Sequence, residues 1–142
     1  MDTRPFPAWT SLAALTLLWA VLFLPNAGLP SLYYEEGRHA FAALAVVEQG
    51  AWLRPQVMGQ AFIDKPPLLF WSIAGFGTLF GGIGEWSIRW PSLLAVLATA
   101  LAIAAWLRGR VRPEVAVLGG AAFLLNPTIM EKAALGEPDT LV

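Results

Sequence analysis

Glu35, Glu36 and Arg38 lie within four positions of one another in the stretch EEGRHA, directly after Tyr33-Tyr34. A carboxylate can take a proton from a hydroxyl, and an arginine fork can hold a phosphate or a carboxylate through parallel hydrogen bonds. A second group, Asp64-Lys65-Pro66-Pro67, sets an acid and a base ahead of a rigid start to an apolar stretch. A third, Glu137-Pro138-Asp139, follows Gly136 near the C-terminus. Arg38 as a planar fork and Lys65 as a point charge would together suit a phosphate at a membrane surface, with Asp64 positioning Lys65 or a metal ion. Each group also has a plainer reading. Glu35 and Glu36 suit the first turn of a helix, where Glu35 and Arg38 would form a surface ion pair. Lys65 can snorkel from a membrane anchor to the headgroups, and Asp139 can cap a following helix.

Composition narrows the setting for these groups. Of the 142 residues, 57% are apolar and 13% charged, against roughly a quarter charged in soluble domains, so the chain reads as a membrane protein. Its formal charge of -1 offers no basic field for nucleic acid. There is no Cys and a single histidine, His39, which excludes disulfides, a thiol nucleophile, thiolate metal sites and a multi-histidine centre within this chain.

The elements that must position the charged groups follow from charge-free runs, since a helix crossing about 30 Å needs about 20 mostly apolar residues. The first run predicts a transmembrane helix over 8–25, stopped by Pro25. Its sole preceding base, Arg4, and the poor cleavage site AGLP favour an uncleaved anchor over a signal peptide. Further spans are expected over 87–107 and 113–128, the latter meeting Asn126-Pro127 near its end. Leu68 to Phe80 is too short to cross comfortably, so a helix over 67–81 is expected to lie on the membrane surface. The stretch 35–49 predicts another interfacial helix, with Ala40, Phe41, Leu44 and Val47 as its apolar stripe and Gly50 as its stop.

Arg108, Arg110 and Arg112 put three of the nine basic residues in one short link, which places that link in the cytoplasm. The loop bearing Glu35, Glu36, Arg38, His39, Asp64 and Lys65 then shares the outer face with a second loop, 129–142, bearing Glu131, Lys132, Glu137 and Asp139. If the Pro66 run instead crossed the bilayer, the arginine link would lie outside and the acidic groups would be separated. The expected fold is an all-α membrane protein: three transmembrane helices plus two extracytoplasmic interfacial helices.

Taken in order, EEGRHA, GAWLRPQVMGQAFIDKPPLLFW, GEWSIRWPSLLA and GEPDTLV resemble the N-terminal part of the bacterial membrane glycosyltransferases of the GT-C superfamily. The protein mannosyltransferases and lipid A aminoarabinose transferases are the nearest group suggested. The resemblance implies transfer of a sugar from a polyprenyl-phosphate donor to an acceptor hydroxyl of a lipid, glycan or protein, on the outer face of a bacterial inner membrane. It places Glu35 where the family has Asp, one methylene longer, Glu36 and Arg38 at the next two motif positions, and His39 where Tyr is common. Lys65 falls at the lipid-phosphate contact, Asp64 at its acidic neighbour and Asp139 at the second-loop acid.

The resemblance thus implies Glu35, Glu36 and Asp139 as catalytic groups, Arg38 and Lys65 as lipid-phosphate ligands, and Asp64, His39 and Glu137 in support. No organic cofactor is implied, and participation of a divalent cation stays open. Because the sequence stops where a further apolar helix would begin, it reads as an N-terminal fragment, inactive alone. The competing reading is a small non-catalytic multi-pass protein, a transporter fragment or an assembly subunit, for which Gly119-Gly120-Ala121-Ala122 would supply close helix packing.

Overall fold

The computed structural model describes residues 8–29, 32, 35–62 and 65–134. Among the described residues, six helices and one small hairpin follow in order: α1 (Ala8–Ala27), α2 (Glu36–Gln49), strands β1 (Gln56–Val57) and β2 (Gln60–Ala61), α3 (Pro67–Phe80), α4 (Glu85–Arg108), α5 (Pro113–Leu124) and α6 (Pro127–Ala134). The protein is an all-α membrane protein. Two helices, Trp9–Ala27 and Glu85–Arg108, are long and apolar enough to cross a bilayer, and α5 with α6 makes a third span if that bent pair is counted as one.

Helix α1 runs through Pro25, the expected stop, and ends at Ala27. A proline removes one amide donor and crowds the carbonyl four residues back, yet the chain keeps its helical course for the two residues that follow. The carbonyls left at that end find donors elsewhere: Arg89 Nη1 donates to Asn26 O, Ala27 O and Leu29 O at 3.2, 3.2 and 3.1 Å. The span expected over 113–128 breaks where Asn126-Pro127 interrupts it, giving a 58° bend between α5 and α6. Pro127 opens α6, and Asn126 Oδ1 accepts the Thr128 amide at 2.9 Å, so the pair restarts the helix in a new direction. Helix α6 thereby occupies the start of the segment expected as the second outer loop, 129–142.

Two cores divide the helices. The first joins α1, α4, α5 and α6 around Leu15, Phe23, Leu93, Val96, Ala100 and Leu124. Gly120 makes this possible, because a Cβ there would come within 2.8 Å of Ala100 O and 2.9 Å of Leu15 Cδ1. The second core seats α2 on α3 through Ala42, Val46, Phe62, Leu69, Phe70 and Ile73. Between them sits an aromatic group: Trp90 lies 6.1 to 6.5 Å from the rings of Trp19, Phe76, Phe80 and Trp86. Trp19 Nε1 also donates to Leu93 O at 2.9 Å, fastening α1 to α4.

Helix α2 carries two faces of different character. Its small residues Ala42, Ala43 and Ala45, with Val46, are buried, while Phe41, Leu44 and Val47 of the expected apolar stripe are exposed. Gly50 ends it in the left-handed conformation, φ +65°, its amide bonding Ala45 O. Pro66 and Pro67 open α3 as their fixed φ allows, and Gly81 closes it at φ +77°.

Candidate functional site

The candidate site forms where the first turn of α2 meets the hairpin and the start of α3. Glu35 is the residue before α2, and Arg38 follows on the same side one turn later. Arg38 Nη1 donates to both Glu35 carboxylate oxygens, at 3.1 and 3.2 Å. The pair is open to solvent, with side chains 49% and 39% accessible for Arg38 and Glu35. An acid and a base so arranged remain within reach of a ligand.

The hairpin supplies the floor beneath Arg38. Met58 and Gly59 form its two-residue loop with φ of +51° and +79°, the positive values that a type I′ turn requires at both centres. The ladder brings Phe62 back alongside Pro55, whose carbonyl accepts the Phe62 amide at 2.8 Å. The Phe62 ring then lies 4.7 Å below the Arg38 guanidinium and 5.6 Å from the Phe70 ring of α3. Arg38, Val57, Gln60 and Phe62 line an open recess of about 340 Å³. Lys65 is three residues past Phe62 and half-buried. Three residues of extended chain reach about 11 Å at most, so Lys65 starts no farther than that from the residue beneath Arg38.

Glu36 faces the other way. It is 1% exposed, and its carboxylate accepts hydrogen bonds from Arg89 Nε at 2.7 Å and Nη2 at 3.0 Å. Its neighbour therefore points to solvent while Glu36 points inward, as the roughly 100° step between successive helical residues dictates. His39 is fully buried on the inner face of α2, its ring 5.9 Å from that of Phe70. The structure thus brings Glu35 and Arg38 together and sets Glu36 and His39 behind them. Asp64, Glu137 and Asp139 lie outside the described residues. Among the described residues, no three acidic or histidine side chains converge on a point that could hold a metal ion.

Two participants went unnoticed in the sequence. Phe62 carries no chemical signal of its own, since a phenylalanine before an Asp-Lys pair is an ordinary apolar residue. Arg89 did carry one: a lone arginine inside an apolar helix demands a buried partner.

Comparison with known proteins bears on the same residues. The family model described as Dolichyl-phosphate-mannose-protein mannosyltransferase matches residues 64–142, more than half of the chain. Lys65, Arg89 and Asp139 fall inside the matched span, and Glu35 and Arg38 precede it. The chain is 28% identical over 107 residues to an undecaprenyl phosphate-alpha-4-amino-4-deoxy-L-arabinose arabinosyl transferase of Edwardsiella ictaluri (strain 93-146), covering 75% of this chain and 19% of that protein. It is 32% identical over 109 residues to an uncharacterized protein of Aquifex aeolicus (strain VF5), covering 76% of this chain and 26% of that protein. The chain therefore spans well under a third of the length of the curated relatives it matches. No solved structure matches it.

Proposed function

Because this chain belongs to the dolichyl-phosphate-mannose-protein mannosyltransferase family, among the GT-C membrane glycosyltransferases, we propose that it binds a polyprenyl-phosphate sugar and takes part in moving that sugar to an acceptor hydroxyl. The observation that carries the reading is the exposed Glu35–Arg38 pair seated on Phe62, with Lys65 following three residues later.

In this reading the acceptor oxygen attacks the anomeric carbon and the bond from that carbon to the phosphate oxygen breaks. The acceptor proton passes to the Glu35 carboxylate, a general-base contribution of about 10²- to 10⁴-fold. Negative charge grows on the departing lipid phosphate, and Arg38 and Lys65 stabilise it. Arg38 already faces an oxyanion, since its Nη1 donates to both Glu35 oxygens, and a phosphate oxygen would accept from the same nitrogen. Asp64 positions Lys65, and Glu137 and Asp139 orient the acceptor. Glu36 serves the site from behind rather than by touching substrate, consistent with its burial, and His39 supports the inner face of α2.

In this reading the α4–α5 link, with Arg108, Arg110 and Arg112, faces the cytoplasm and the site faces outward from a bacterial inner membrane, an orientation that the excess of basic residues in that short link supports. Transfer of sugar from a polyprenyl-phosphate donor by the full-length gene product in its native membrane is the test. Glu35→Gln and Lys65→Ala are each expected to lower turnover at least a hundredfold, and undiminished turnover in both contradicts the assignment.

A further inference from the structure

The Arg89 side chain lies at the meeting point of three helices. From the second turn of α4 it sends Nε and Nη2 to the two oxygens of Glu36 in α2, and Nη1 to three carbonyls at and just beyond the end of α1. It is 5% exposed, in a helix otherwise apolar enough to cross a membrane. Burying a charge there is costly, and an apolar residue of similar volume often serves stability as well. What an apolar residue cannot do is specify direction. The guanidinium is a rigid planar fork, so occupying two nitrogens with one carboxylate and the third with the end of α1 fixes both relative to α4.

That grip has a consequence for the residues beside Glu36. A helix advances about 100° per residue, so holding Glu36 inward sets the azimuth of the whole first turn. Glu35 and Arg38, three positions apart, then share the outward side. A slip of α2 by one residue that turned Glu35 into the protein would put Gly37 where Arg38 now stands. The outer ion pair cannot prevent such a slip, since exposed pairs are weakly held.

We propose that Arg89 is a positioning residue: through Glu36 it couples the end of α1 to the first turn of α2, and so sets where Glu35 and Arg38 stand to meet a lipid-borne phosphate. The phosphate part of this inference rests on the function proposed above, whereas the coupling of α1 to α2 stands apart from it. Arg89→Lys keeps the charge and loses the fork; Glu36→Asp keeps the charge and shortens the arm.

The chain has no native cysteine, so spin labels attached through the double substitution Val21→Cys on α1 and Val47→Cys on α2 report the coupling without interference. Both positions are exposed. The protein in lipid nanodiscs is expected to give one narrow distance distribution, and Arg89→Lys and Glu36→Asp to broaden or displace it. The same two variants are expected to bind undecaprenyl phosphate at least tenfold more weakly. Leu93→Ala, a core substitution in the same helix, is the control for mere loss of stability and is expected to lower the thermal midpoint while leaving the distance in place.

An unchanged distance distribution in both charge-conserving variants overturns the proposal whether or not the donor binds. A displaced distribution with undiminished undecaprenyl phosphate affinity also overturns it. Failure of the unsubstituted protein to bind undecaprenyl phosphate would instead defeat the functional reading, leaving the distance measurement to decide the coupling. Should Arg89→Lys not fold, the paired replacement Glu36→Met with Arg89→Met leaves no unpaired charge and enters both measurements with the same expected results.

Discussion

Arg89 grips the Glu36 carboxylate through two hydrogen bonds, 2.7 and 3.0 Å long, across 53 residues of sequence, while Glu35 next door pairs with Arg38 at the surface. Adjacent acids on one short helix thus belong to opposite environments. Removing one partner of a buried pair leaves an uncompensated charge and costs about 3–5 kcal/mol, whereas an exposed pair contributes at most about 1 kcal/mol. Glu36→Ala is therefore expected to lower the thermal midpoint strongly and Glu35→Gln hardly at all. Circular dichroism melts in detergent check this, and equal shifts would contradict the two environments.

Glycines in the helices divide in the same way. At Gly120 a Cβ would press on Ala100 O and the Leu15 side chain, whereas at Gly75 in α3 it would meet nothing within 4 Å. Gly120→Ala is expected to destabilise the α1, α4 and α5 packing. Gly75→Ala is expected to stabilise the protein by about 0.5–1 kcal/mol through reduced freedom of the unfolded chain. Melting curves of the two variants should move in opposite directions.

Phe62 holds Arg38 from below at 4.7 Å. Phe62→Leu keeps an apolar residue against Phe70 but removes the π face, worth about 0.5–1 kcal/mol at an exposed site. Undecaprenyl phosphate affinity is expected to fall about two- to fivefold, read by titration in nanodiscs. An unchanged affinity would mean that the ring does not hold the guanidinium in its binding position.

Orientation is open to labelling because any introduced cysteine is the sole thiol in the chain. A membrane-impermeant maleimide applied to intact spheroplasts is expected to modify Lys65→Cys directly and Arg110→Cys only after permeabilisation. Labelling of Arg110→Cys from outside would invert the topology and separate the proposed site from an external donor.

Much of the frame was legible in the residues. The charge-free run before Arg108 gave α4, the Pro-Pro pair gave the start of α3, and Gly50 gave the end of α2, because each rests on local chemistry. Pro25 misled, since a proline costs the helix one bond to the carbonyl four residues back without barring the two residues that follow it, and Arg89, 60 or more residues away, meets carbonyls at and just past the helix end. The inner face of α2 was also hidden: periodicity marked Phe41, Leu44 and Val47, while the face that packs is built of alanines and Val46, whose small size admits α3. The division of labour between Glu35 and Glu36 could not be read either, because two neighbouring glutamates differ only in what lies opposite them. The strands of the hairpin are two residues each, too short to leave a pattern.

The central claim is that Arg38 and Lys65 together hold a lipid-borne phosphate, and the most direct measurement is equilibrium binding of undecaprenyl phosphate to the protein in nanodiscs. The unsubstituted protein is expected to bind saturably, and Arg38→Ala and Lys65→Ala each to bind at least tenfold more weakly with helix content unchanged. Equal binding by all three proteins would contradict the account.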